Sequence, residues 1–258
     1  MAENQYGFPT EVLSLPSQGL LYPEDSPLRS GTIDVKYMTA KEEDILTSTN
    51  LIQQGKVIER LLESVVANSK IKLDDMLVGD KNALMLGTRI LGYGSEYKVI
   101  INDPETNQDV ERVVDLTTLQ HKELDEKLFE SGENKFEFEL PNSKRKVEFK
   151  LLTGHDEKII DKQLDDLQKV EELTGVSSEL TTRIKHQLIS VDGNTEQAFI
   201  DNFVDNEFLA LDTRAYRKYL VSMTPDVNMV FNYTTQRTKK VIEVDVPLGT
   251  EFFWPAGK

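Results

Sequence analysis

The chain has 258 residues, of which 29% are charged and 38% hydrophobic, a balance that is typical of a folded protein and too apolar for a disordered one. Its formal net charge of −15 repels phosphate backbones and argues against broad nucleic-acid binding. Cysteine is absent, which excludes disulfides, thiolate metal sites and thiol catalysis.

Residues 1–38 are predicted to form an extended arm that ends in a short strand at 32–37. The arm is rich in proline, which fixes the backbone and removes hydrogen-bond donors, and apolar and polar residues alternate along the strand. The first residues carry neither a basic region nor an apolar run, so no signal peptide is expected. No stretch reaches the ~20 apolar residues of a membrane-spanning helix.

Three helices are predicted after the arm. Thr39 should begin the first, because Thr39-Ala40-Lys41-Glu42 matches a capping box. The second has one apolar face between Val57 and Val66. The third is expected to begin with Asp80 as its N-cap and to end at Gly92-Tyr93-Gly94.

Two β-hairpins are predicted next, because the apolar period changes from helical to two. Residues 97–101 and 110–114 flank a turn at 102–107 in the first hairpin. The second hairpin has strands at 136–140 and 147–151, and its charged alternate positions predict one solvated face.

The C-terminal part is predicted to be helical and to end in a third hairpin. Helices are expected at 154–172, 178–190, around 199–203 and at 208–220, and the hairpin strands at 227–233 and 240–246. A helical body with three antiparallel hairpins and an extended N-terminal arm is an α+β fold. We divide the chain into the arm with its strand (1–38), helices followed by two hairpins (39–152), and helices followed by the last hairpin and an aromatic tail (153–258).

The titratable residues give no signal of a catalytic or metal centre. The three histidines, at 121, 155 and 186, are far apart and lack partners at metal-ligand spacing, and His155 and Asp156 are typical of a helix start. Acidic runs such as Glu42-Glu43-Asp44 are expected to be solvated, because adjacent residues on a helix point in different directions. We therefore expect no enzymatic activity, no cofactor and no metal ion.

Three segments are candidates for partner binding. The first is an apolar part of the arm, with Leu15, Pro16, Gly19, Leu20, Tyr22 and Pro23, which could instead be a strap on its own core. The second is the aromatic tail, Phe252, Phe253 and Trp254, for which self-packing is an equal alternative. The third is the basic pair Arg214 and Arg217, which could instead pair with neighbouring carboxylates.

Four stretches in collinear order carry a family likeness: residues 15–23, 37–46, 78–83 and 251–255. Together they resemble the T4-like phage baseplate family, as a hub subunit or a hub assembly protein. The resemblance implies a structural or chaperone-like role through contacts with other hub or tail proteins. Further copies of the chain remain an alternative partner, whereas the net charge argues against nucleic acid and the lack of a long apolar run against a membrane. It places the protein in the host cytoplasm during assembly, or in the tail baseplate of the virion.

In related sequences the first and third hairpins can carry cysteine pairs that look like zinc ribbons. Here the corresponding turns, at 102–107 and 233–237, hold neither Cys nor His. The resemblance therefore implies that the metal has been lost, that the two hairpins lie side by side, and that packing alone holds them.

Two other functions remain open. An acidic adaptor or regulator could bind a basic host protein through the helix at 154–172. A metal-dependent hydrolase could use scattered carboxylates, although no cluster of them is apparent in the sequence.

Overall fold

A computed structural model describes residues 7–129, 132–246 and 252–253 of the protein. The α-helices in these ranges are α1 (Ala40–Leu46), α2 (Thr49–Gln53), α3 (Val57–Val65), α4 (Val78–Tyr93), α5 (Gly154–Thr174), α6 (Glu179–Gln187), α7 (Gln197–Asn202) and α8 (Ala210–Met223). The strands are β1 (Thr10–Ser14), β2 (Thr32–Lys36), β3 (Glu96–Asn102), β4 (Asp109–Asp115), β5 (Phe136–Glu139), β6 (Lys146–Phe149), β7 (Leu188–Val191), β8 (Val230–Thr234) and β9 (Val241–Asp245). Helices accompanied by small antiparallel sheets confirm the α+β class.

The strand pairs β3–β4, β5–β6 and β8–β9 lie where the sequence predicted hairpins. Two further pairings were not predicted. Strand β1 pairs with β2, with Leu13 opposite Ile33, and β7 adds a third strand to the β5–β6 hairpin. Both extra strands form by pairing with residues distant in sequence, so their local sequence gives only a weak signal.

The N-terminal segment therefore differs from the extended arm predicted for it. Residues 10–14 form a strand. The connection that follows it is closed by one hydrogen bond, from the Leu15 N–H to the Gly31 carbonyl (2.8 Å). Leu13 packs against α4 at Gly87, where an added Cβ would lie 2.1 Å from the Leu13 Cδ1 atom. The missing side chain of Gly87 thus allows β1 to approach the helix closely.

Two helix boundaries differ from the predictions. The helix expected at 178–190 ends at Gln187, because Leu188–Val191 pairs with β6 and buries Leu188 and Val191. Helix α4 begins at Val78, and its N-cap is Leu77, which makes no side-chain cap bond. Asp80 is therefore in the first turn of α4 and is not the N-cap.

The local capping prediction at Thr39 is confirmed. The Glu42 carboxylate accepts a hydrogen bond from the Thr39 backbone N–H (2.9 Å), and the Thr39 hydroxyl accepts one from the Lys41 N–H in the first turn of α1.

One contiguous apolar core includes buried residues from every section of the described chain, from Leu15 through Leu84 and Phe149 to Phe253. None of the helices in the described ranges is long and apolar enough to cross a membrane.

Candidate interaction surfaces

Helix α4 carries two buried charged side chains, Asp80 in its first turn and Arg89 near its end, and both are at most 1% exposed. An acidic residue in the first turn of a helix, such as Asp80, is favoured by the helix dipole. Each of these side chains is hydrogen bonded to a different end of the chain.

Asp80 binds the N-terminal segment. Its Oδ1 accepts a hydrogen bond from the Ser17 backbone N–H (2.9 Å), and its Oδ2 accepts from the Ser17 and Tyr22 hydroxyls (both 2.6 Å). The Tyr22 oxygen in turn accepts from the Leu77 N–H (2.9 Å). Burial raises the pKa of Asp80, and the hydrogen bonds from Ser17 and Tyr22 act in the opposite direction. We call Asp80, Ser17 and Tyr22 the N-terminal clasp.

The predicted binding residues of the arm lie mostly inside the protein. Leu15, Pro16, Gly19 and Tyr22 are buried, as expected for a strap packed on its own core. Leu20 is half-buried and Pro23 is exposed, and these are the two candidates of this segment that the folded chain presents to a partner.

Arg89 binds the C-terminal tail. Its Nε donates to the Phe252 carbonyl (2.7 Å), and its two terminal nitrogens donate to the Gly94 carbonyl (2.7 Å) and the Glu96 carbonyl (3.1 Å). Phe252 meets Tyr97 edge to face, with ring centroids 5.1 Å apart. We call Arg89 with its three carbonyl acceptors the C-terminal clasp.

The aromatic tail is thus packed on its own chain as far as the structure describes it. Phe252 and Phe253 are each 1% exposed, and their rings are also edge to face, 5.3 Å apart. Trp254, the third predicted residue of the tail, lies outside the described residues.

The turns of the first and third hairpins lie side by side, as the family resemblance implied. Asp103 Oδ2 accepts hydrogen bonds from the Tyr233 hydroxyl (2.5 Å) and the Gln236 N–H (2.9 Å), while Oδ1 accepts from two N–H groups of its own turn. Glu105 accepts from the Arg237 N–H (3.2 Å) and the Thr238 N–H (2.9 Å). The expectation that packing alone joins the hairpins is therefore wrong.

These carboxylates also show that the paired turns do not suit zinc. Backbone N–H groups and hydroxyls already occupy Asp103 and Glu105, and neither turn supplies a Cys or His ligand. The hydrogen bond from Tyr233 holds the pKa of Asp103 well below its usual value. Across the described ranges no group of three or more His, Asp or Glu side chains could hold a metal ion.

The predicted basic pair lies on the outer face of α8. Arg214, Arg217 and the adjacent Lys218 are exposed, and none of the three forms an ion pair with any residue that the structure describes. The single carboxylate of α8, Asp212, is buried and accepts from the Asn142 N–H (2.7 Å) and the Ser143 N–H (2.9 Å). Asp212 therefore does not neutralise the cations of its own helix.

Two exposed apolar side chains flank these cations. Leu211 is 67% exposed and Val221 is 62% exposed. At 3.6 residues per turn, Leu211, Arg214, Lys218 and Val221 lie along one stripe, with Arg217 beside it. We call these five residues the α8 surface.

A groove between α6 and α8 borders this surface. It has a volume of about 360 Å³ and is lined by Glu179, Leu180, Arg183, Ile184, Gln187, Arg217, Leu220 and Val221. A second cavity of about 230 Å³ shares Arg183, Gln187, Leu220 and Val221 with it and extends towards Leu77 and Pro225. Leu180, Ile184, Leu220 and Val221 give the first groove apolar walls, and its charged lining residues are Arg217 and the ion pair between Arg183 and Glu179.

The comparisons with known proteins identify one family. A family model described as "T4 bacteriophage base plate protein" matches residues 20–254, a range that includes Tyr22 and Asp80 of the N-terminal clasp, the whole C-terminal clasp, the paired hairpin turns and the α8 surface. No curated protein and no solved structure matches the chain. Because the family model covers most of the sequence, the chain belongs to the T4 bacteriophage base plate protein family.

Proposed function

We propose that the chain is a non-enzymatic component of the tail baseplate hub that acts during assembly by binding other hub or tail proteins. The family match across residues 20–254 carries this proposal, since a baseplate family indicates a structural protein of the phage tail. A role as a subunit and a role as a transient chaperone are both compatible with that match.

The use of the charged side chains supports a structural role. Asp80 and Arg89 hold the two ends of the chain, and Asp103 joins two hairpins. The polar atoms of these side chains make hydrogen bonds within the fold, so their role is to hold segments of the chain together.

Contacts with partner proteins are therefore expected to involve the exposed parts of the fold. The N-terminal clasp and the C-terminal clasp both fix in place segments that could otherwise have reached a neighbouring protein. Leu20, Pro23 and the α8 surface are the predicted contact positions that remain accessible.

A phage with a nonsense mutation in the gene for this chain tests the proposal. We expect tail assembly to stop before a complete baseplate forms, and we expect plasmid-borne wild-type chain to restore it. Normal baseplates in the mutant, observed in sedimentation gradients and by electron microscopy, would contradict the proposal.

Quantitative mass spectrometry of purified virions separates the two forms of the proposal. A structural subunit should be present at a fixed copy number relative to the other baseplate proteins. A chaperone-like assembly protein should be absent from the virion and present in assembly intermediates.

A further inference from the structure

We propose that the α8 surface and the adjoining α6–α8 groove bind an acidic amphipathic helix of a partner protein. This inference rests on the proposed function, because it assigns a class of partner to one surface of the baseplate protein.

Helices α6 and α8 present exposed hydrophobic side chains on both sides of the groove and along α8. Leu180, Leu209, Leu211 and Val221 are large apolar residues between 41% and 67% exposed, and all four lie on α6, on α8 or next to α8. Leu180 and Val221 line the groove, and Leu209 and Leu211 lie at the N-terminal end of α8. Exposed apolar groups beside a groove and rimmed by polar residues are typical of protein-binding sites. The groove contributes Ile184 and Leu220, which extend the apolar area below the surface.

The charge on α8 indicates an acidic partner, and the carboxylate that lines the groove, Glu179, is already paired with Arg183 (3.1 Å). The protein has a formal net charge of −15, yet α8 presents three exposed cations and its single carboxylate is buried. Because Arg214, Arg217 and Lys218 have no carboxylate partner among the residues described, an acidic segment can bind them without breaking an existing ion pair. Complementary charge of this kind steers association and fixes orientation.

The groove favours a helical segment over other negatively charged molecules. Apolar residues at i, i+3, i+4 and i+7 of an acidic helix would enter the groove, while its carboxylates meet the cations of α8. Nucleic acid has no apolar side chains for the groove, and the overall negative charge repels its backbone.

The probes are overlapping peptides, each about 20 residues long, that together cover the other tail proteins of the same phage. At about 1.5 Å of helix per residue, each peptide is long enough to form a helix of several turns. The full-length chain, the triple variant Arg214→Glu/Arg217→Glu/Lys218→Glu and the control Lys41→Glu/Lys56→Glu are measured against each peptide. Lys41 and Lys56 are exposed lysines outside α6 and α8, so the control repeats the type of change at another place. Circular dichroism and thermal unfolding establish that all three proteins fold alike.

We expect the wild-type chain and the control to bind a small set of peptides that are net negative and have helical apolar spacing. The triple variant should bind them about tenfold or more weakly, and added salt should weaken wild-type binding. The inference is overturned if no acidic peptide binds, if the bound peptides are neutral or basic, or if the triple variant binds as well as wild type. Binding of DNA or of a second copy through this surface would overturn it as well.

The outcome is distinguishable from failure of the proposed function. If the chain forms hub complexes that the triple variant leaves intact, the inference fails and the hub role stands. If an acidic peptide binds through α8 but phage lacking the chain still form normal baseplates, the inference stands and the proposed function fails.

Discussion

At the scale of single residues, the two buried charged groups of α4 are matched to donors or acceptors from distant parts of the sequence. Asp80 receives its hydrogen bonds from residues up to 63 positions away, and Arg89 reaches a carbonyl 163 positions away. A buried charge is tolerated when its hydrogen-bonding groups are satisfied, and removal of one partner leaves the other uncompensated. The clasps should therefore be sensitive to changes of single atoms.

Tyr22→Phe tests the N-terminal clasp. The change removes the hydroxyl that donates to Asp80 and accepts from the Leu77 N–H, and both partners stay buried. We expect the free energy of unfolding, measured with urea, to fall by about 1–3 kcal/mol. Tyr37→Phe is the control, because the Tyr37 hydroxyl bonds to Glu11 at an exposed site, and it should cost less than about 0.5 kcal/mol. Equal effects of the two changes would count against the clasp.

Asp103 makes the stability of the paired hairpins dependent on pH. Its pKa is lower in the folded protein than in the unfolded chain, so its contribution is present at neutral pH and is lost as the pH falls below about 4. Asp103→Asn should be less stable than wild type at pH 7, and the difference should shrink in acid. Asp25→Asn, a change at an exposed carboxyl, should match wild type throughout. A difference that is the same at pH 7 and pH 3 would exclude this role for Asp103.

At the scale of elements, the sequence predicts correctly those helix ends and hairpins that depend on residues close together in the chain. The capping box at Thr39 and Glu42 and the alternating residues of β3–β4 involve neighbours in the chain, and both were predicted at the correct positions. Strands β1 and β7 were missed because each depends on pairing with a distant segment. Tertiary contacts had to be known before either strand could be assigned.

The partners of Asp80 and Arg89 in the two clasps were also not predictable from the local sequence. Asp80 resembled an N-cap, and nothing near it in sequence indicated that Ser17 and Tyr22 would bind it. Arg89 did give a signal, because it interrupts the apolar stretch from Ala83 to Leu91, where a cation must find acceptors when buried. The identity of those acceptors, above all the Phe252 carbonyl, required the fold.

Arg89→Met tests how the C-terminal tail is held. Methionine keeps an apolar stem but cannot donate to the carbonyls of Phe252, Gly94 and Glu96, so the tail should separate from α4 more often. In a carboxypeptidase digest followed by mass spectrometry, Phe253 and Phe252 should be released more slowly from wild type than from the variant.

The matched control for this digest is Arg60→Met, which changes an exposed arginine on α3. It should be trimmed as wild type is. If Arg89→Met is also trimmed as wild type is, then Arg89 does not hold the tail, and the burial of the two phenylalanines suffices without it.

At the scale of the whole molecule, α4 links the two ends of the chain. Asp80 in its first turn holds the N-terminal segment, Arg89 in its C-terminal half holds the tail, and the buried core is continuous between them. In this arrangement the predicted contact residues of both ends lie largely inside the fold. The exposed α8 surface, which combines apolar side chains with cations, is then the principal candidate for contact with other baseplate proteins.

Co-expression of the chain with the hub and tail-tube proteins of the same phage, followed by native mass spectrometry of the purified products, tests the central claim most directly. We expect a complex with at least one of these proteins at a defined stoichiometry. Recovery of the chain free of every one of them, while the other proteins are folded and present, would contradict the claim that it acts by binding its neighbours in the baseplate hub.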